Sequence, residues 1–75
     1  MYTEIYSQLA RGSQFPFSVC CDPSEVMPWC IQFAGGGHYF ATMPEAVQYA
    51  RSRKWITTAK AVKVIDEINS KLNML

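Results

Sequence analysis

The stretch Trp29-Cys30-Ile31-Gln32-Phe33-Ala34-Gly35-Gly36-Gly37-His38-Tyr39-Phe40-Ala41-Thr42-Met43-Pro44-Glu45-Ala46-Val47 decides the fold. It leaves no residue unassigned between a strand, a turn, a returning strand and a helix start. Trp29, Ile31 and Phe33 alternate with Cys30, Gln32 and Ala34, the two-residue period of a strand with unlike faces. Ala34 to Gly37 suits a tight hairpin, because glycine takes positive φ without steric cost. His38 to Ala41 is the returning strand. Thr42 and Glu45 have capping-box spacing: the Thr42 hydroxyl can accept from the Glu45 N–H, and the Glu45 carboxylate from the Thr42 N–H. Pro44 falls in the first helical turn, where a missing N–H costs little.

Toward the N-terminus, Phe15 to Cys21 alternates again. Phe15, Phe17, Val19 and Cys21 share one face; Pro16, Ser18 and Cys20 share the other. Pro16 cannot donate to a ladder and belongs at an edge or at the start of the strand. Residues 22–28 form a loop opened by the turn signal Asp22-Pro23 and closed by Pro28. The loop carries Val26 and Met27, although turn chemistry does not call for apolar residues there. Thr3 can cap a short N-terminal helix with Ile5 and Leu9 on one face, Tyr2 and Tyr6 on an adjoining one, and Gly12 at the left-handed C-terminal position. Two turns of helix are not stable alone, so it must dock on the rest. An extended edge segment is the alternative.

Toward the C-terminus, the helix from Met43 runs to about Lys54, with Ala46, Val47 and Ala50 lining one side. Glu45 at its start and Arg51, Arg53 and Lys54 at its end match the helix dipole. Trp55-Ile56 interrupts the polar rhythm. Thr57 or Thr58 can cap a second helix to about Asn73, with Ala61, Val64, Ile65, Ile68 and Leu72 as its buried stripe. Lys63 and Glu67 can pair across one turn of its outer face. No Gly or Pro separates residues 43–54 from 58–73, so one bent helix competes with two.

The sum is a single α+β domain over residues 1–75. It has a three-stranded antiparallel sheet, a C-terminal helix pair on one face and a short N-terminal helix. Phe15, Phe17, Val19, Trp29, Ile31, Phe33 and Phe40 face the helices. Ser18, Cys20, Cys30, Gln32, Tyr39 and Ala41 face away.

Composition narrows the function. Seven Lys+Arg against six Asp+Glu give a net charge of +1, with no global field to draw in nucleic acid or an acidic membrane. No apolar run approaches the roughly 20 residues of a membrane span, and Met1 to Ile5 lacks a basic, then apolar signal pattern. The expected compartment is the cytoplasm. The three cysteines are an odd count, which reads as reduced thiols and not as a disulfide scaffold. At 49% hydrophobic and 13% aromatic, the chain is rich in apolar residues for a domain that buries only about 60–65% of its unfolded surface. Either every large side chain is needed inside, or some apolar surface is kept for a partner.

Three candidate chemistries lack support. Cys20 and Cys21 are adjacent on a strand, so they point to opposite faces and cannot join Cys30 and His38 around one zinc ion without a bulge. His38 has no third group to orient it as a base for a thiol nucleophile. Gly35 to Gly37 leads into a strand, whereas a phosphate loop leads into a helix N-terminus. No metal, cofactor or enzymatic activity is expected.

Tyr39 to Val47, preceded by a strand from Trp29, resembles the three-strand-plus-helix DNA-binding domains of tyrosine integrases and plant ethylene-response factors. The likeness covers only this middle stretch. It implies major-groove reading by Arg and aromatic side chains on the outer sheet face, where this chain carries Ser18, Cys20, Cys30, Gln32 and Tyr39. Without cations there, counterion release is missing. Nucleic acid would have to use Arg51, Arg53, Lys54 and Lys60 instead. A protein partner fits better: interface centres lose charge and gain Tyr, Trp and Met. Tyr39, Gln32, Cys30, Met27 and Val26 are the expected contact residues, with a homodimer as a structural variant. In format only, the chain resembles the small inhibitors of phages and other mobile elements, anti-CRISPR proteins among them. The expected function is steric, as an adaptor or inhibitor of a larger protein.

Overall fold

The computed structural model describes residues 1–74. The chain runs β1 (Thr3–Leu9), β2 (Pro16–Cys21), β3 (Trp29–Phe33), β4 (Gly36–Phe40), α1 (Met43–Ser52) and α2 (Thr58–Asn73). The strands form one antiparallel sheet in chain order, β1-β2-β3-β4. Both helices pack on one face of it. No helix among the described residues is long and apolar enough to cross a membrane.

The N-terminal segment corrects the sequence reading. Thr3 to Leu9 is a strand and not a helix, so the sheet has four strands where three were expected. The reason lies in a bulge between Glu4 and Tyr6, which leaves Ile5 without a cross-strand partner. The extra residue breaks the period-two alternation, and the remaining spacing of Ile5 and Leu9 imitates a helix face. Tyr6 is buried opposite Val19, whereas Leu9, opposite Pro16, is exposed.

The central hairpin forms with a tighter turn than expected. Ala34 (φ 50°) and Gly35 (φ 83°) are its two central residues, and positive φ at both is what a right-twisted two-residue hairpin requires. Gly36 and Gly37 are therefore strand residues, opposite Phe33 and Gln32. Thr42 precedes α1, but its hydroxyl donates to Glu45 Oε1 (2.8 Å) and takes no backbone N–H, so the reciprocal capping box does not form. Thr57 does cap α2, accepting from the Lys60 N–H at 3.1 Å.

The helices are separate, and Lys54 explains how they part without Gly or Pro. Lys54 takes the left-handed conformation (φ 64°) just past α1. Its N–H donates to the Arg51 carbonyl (2.9 Å), and the Trp55 N–H donates to the Ala50 carbonyl (3.0 Å). This pair of reversed bonds is a Schellman ending with lysine in the usual glycine place. The accompanying apolar contact is Trp55 edge-on to Tyr49.

Trp55 then turns inward, stacked on Phe33 (4.5 Å) and Phe17 (5.7 Å). Around it the core gathers Tyr6, Phe17, Val19 and Ile31 from the sheet, Met43, Val47 and Ala50 from α1, and Ala61, Val64 and Ile68 from α2. Trp29, Phe33 and Phe40 pack against its rim. Phe15 is the exception among the expected inward residues. It precedes β2, lies in the turn and is 59% exposed, its ring edge-on to Phe33. On α2, Glu67 pairs with Lys71 (3.9 Å) and not with Lys63.

Candidate interaction face

The face of the sheet turned away from the helices is built by register. One row across it is Glu4, Cys20, Cys30 and Tyr39; the next is Ser7, Ser18, Gln32 and Gly37. The first row holds the face's sulfur. Cys20 and Cys30 stand opposite each other and are 4% and 1% exposed. Burial raises both thiols above the ordinary range, so they are poor nucleophiles at neutral pH. Cys30 thus lies beneath the expected contact surface and supports it from below. Cys21 and His38 point to the helix side, where the His38 ring meets Tyr49 at 4.6 Å. Among the described residues no three or more His, Cys, Asp or Glu side chains gather as a metal site.

Tyr39 rises above this row, 55% exposed. Its ring leans on Tyr2 at 5.5 Å, and the Tyr2 hydroxyl donates to the Met27 carbonyl at 2.6 Å. Two shallow depressions of about 400 Å³ each flank the ridge. Pro16, Ser18, Gln32, Gly37 and Tyr39 help line one; Tyr2, Glu25, Val26, Met27 and Tyr39 line the other. The expected residues Tyr39, Gln32, Met27 and Val26 thus come together on one side of the molecule. Tyr2 was missed by the sequence reading, because it was assigned to a helix.

Residues 22–28 are held out by Asp22, which is buried. Its carboxylate accepts from the Met1 ammonium (2.5 Å), from the Ser24 N–H (3.0 Å) and from the Ser24 hydroxyl (2.6 Å). The Asp22 N–H donates to the Pro28 carbonyl and closes the loop at its neck. The hydrogen bonds from the Met1 ammonium and from Ser24 hold the carboxyl down to about 2. Val26, at 94% exposure, projects from this anchored loop. Asp22 was legible only as a turn residue.

The face carries no Lys or Arg in its two rows or its two depressions. Its charges are Glu4, whose carboxylate accepts from the Ser18 hydroxyl (2.9 Å), and Glu25. The basic residues lie elsewhere. Arg51 and Lys54 line a depression at the helix junction together with Arg11, Thr57 and Thr58. Arg11 is brought there because its N–H donates to the Trp55 carbonyl (2.8 Å). Arg53 lines a separate hollow with His38, Tyr49 and Trp55. Lys60 is exposed on the first turn of α2. The four expected basic residues are therefore divided, and Arg11 joins two of them.

No known protein family, curated protein or solved structure matches this chain.

Proposed function

We propose that this chain is a non-enzymatic protein-interaction module whose outer sheet face covers part of a larger protein, as an adaptor or as a steric inhibitor. The observation that carries the reading is the Tyr39 ridge, exposed, braced by Tyr2 and set between two depressions on a face without cations. An aromatic anchor held in place loses little freedom on binding, and the small neutral residues beside it, Ser18, Gln32 and Gly37, desolvate at low cost. Glu4 and Glu25 at the margins favour a partner surface that presents cations or N–H donors. The test is affinity capture from the source organism's lysate with the wild-type chain, Tyr39→Ala and Arg51→Ala/Lys54→Ala. A protein retained by the wild type and the basic-site variant, and lost with Tyr39→Ala, supports the reading. Capture that ignores Tyr39 and needs the basic pair defeats it.

A second reading has one observation in its favour. The helix junction gathers Arg11, Arg51 and Lys54 beside the start of α2, a suitable place for a nucleic-acid phosphate. Retention on heparin that falls steeply with salt and disappears in the double variant would favour it.

A further inference from the structure

The sheet has two edges, and only one is closed. β1 carries the bulge at Ile5, and the Lys71 ammonium donates to the Ile5 carbonyl at 3.0 Å. A bulge and a lysine are two of the common means of stopping an edge from pairing with another chain. β4 has neither. Its sequence Gly-Gly-His-Tyr-Phe holds no proline and no acidic or basic side chain beyond His38, and its register with β3 is unbroken. The residues flanking a two-residue turn, here Phe33 and Gly36, exchange both hydrogen bonds, and the pattern alternates from there. Gly36, His38 and Phe40 thus direct their N–H and C=O groups to β3. Gly37 and Tyr39 direct theirs to the open edge.

We infer that this edge is closed by a second copy of the chain, β4 against β4 in antiparallel pairing about a two-fold axis at His38. Gly37 then pairs with the partner's Tyr39, and Tyr39 with the partner's Gly37, each pair exchanging both hydrogen bonds. Two features make the edge complementary to itself. On the outer face, each exposed Tyr39 ring comes to lie over a glycine, which has no side chain to obstruct it. On the helix side, an open hollow beside β4 is lined by Phe40, Pro44, Glu45, Gln48, Tyr49 and Arg51. A two-fold axis reverses one α1 against the other, so the Glu45 end of one helix faces the Arg51 end of its partner. An unrelated extended peptide would satisfy the backbone groups equally but would bring no such match of charge.

The experiment is sedimentation velocity of the full chain across a wide concentration range, with circular dichroism on each variant to check the fold. The wild type is expected to show a reversible rise to twice the chain mass. Gly37→Pro removes the donor that faces the open edge and leaves the ladder to β3 intact; it should weaken the dimer about thirtyfold. Gly37→Ala keeps the donor, and an added Cβ would meet the Cys30 sulfur at an ordinary 3.5 Å, so the chain should fold as the wild type does. That Cβ would lie under the partner's Tyr39 ring, so the dimer should weaken, but less than in Gly37→Pro. Glu45→Arg should weaken association, and Glu45→Arg/Arg51→Glu should restore it. That charge exchange decides the matter if Gly37→Pro does not fold. A wild type that stays monomeric throughout overturns the inference, as does a dimer indifferent to both Gly37→Pro and the charge exchange. The Tyr39 capture test has a separate readout, a different protein retained from lysate. Because β4 pairing would cover part of the Tyr39 ridge, Gly37→Pro should capture that protein at least as well as the wild type.

Discussion

The two faces of the sheet are made from neighbouring residues of the same strands, yet they obey different rules. On the helix side, Phe17, Val19 and Ile31 are closed in by apolar side chains from α1, α2 and Trp55. On the other side no helix among the described residues covers the strands. Even so, Cys20 and Cys30 are nearly as inaccessible as Phe17. The outer face is therefore layered: small sulfur side chains below, tyrosine rings and short polar groups above. The inner face derives its burial from other elements, and the outer face derives its burial from its own cross-strand neighbours.

The largest expected effect tests the inner side. Phe17→Ala should lower stability by about 3–5 kcal/mol in denaturant unfolding, because it empties a site stacked on Trp55. A loss below about 1 kcal/mol would mean that the helices do not seal this face. Next, Cys30→Ser sharpens the layered description of the outer side. A hydroxyl in place of a buried thiol should cost about 1–2 kcal/mol. If the variant matches the wild type, Cys30 is reached by water and the layer does not exist. Tyr39→Ala should change stability by only about 0.5 kcal/mol, as surface substitutions do. Unfolding of that variant would mean that the ridge is structural.

The last test addresses the loop at the margin of the outer face and is confined to acid. An unfolded Asp titrates near 3.9, and Asp22 in the folded chain near 2. Its folded-state value is depressed, so its stabilisation is complete above about pH 4 and is lost as the pH falls toward about 2. Unfolding measured from pH 7 to pH 2 should show a steeper acid decline for the wild type than for Asp22→Asn. Parallel curves through that window would show that the Met1–Asp22–Ser24 cluster contributes nothing.

Much of this arrangement was legible in the sequence, for reasons particular to each segment. Trp29 to Phe33 alternates cleanly and the glycines after it call for a hairpin, so β3, the presence of the turn and the start of α1 were legible. The two-residue length of the turn was not, because three glycines in a row fit it at more than one position. Thr57 and the stripe Ala61, Val64 and Ile68 located α2. β1 was misread because its bulge at Ile5 removes the very alternation that identifies a strand. The separation of α1 from α2 was left open because Lys54 adopts a conformation that a sequence reader reserves for glycine. At the candidate site, Tyr39, Gln32, Met27 and Val26 were placed by counting along strands and loops. Tyr2 and Arg11 were not, since their positions depend on long-range pairing that no local pattern reports.

The hydrogen bond from Lys71 to Ile5 spans 66 positions of chain, and this bears on the order of assembly. β1, β2, β3, β4 and α1 meet partners close in sequence and can settle early. Tyr6 and the bulge beside it gain their cover from α2 only after α2 itself has been synthesised. The outer edge of β1 is therefore secured last, and until then its unpaired backbone groups remain open to wrong partners.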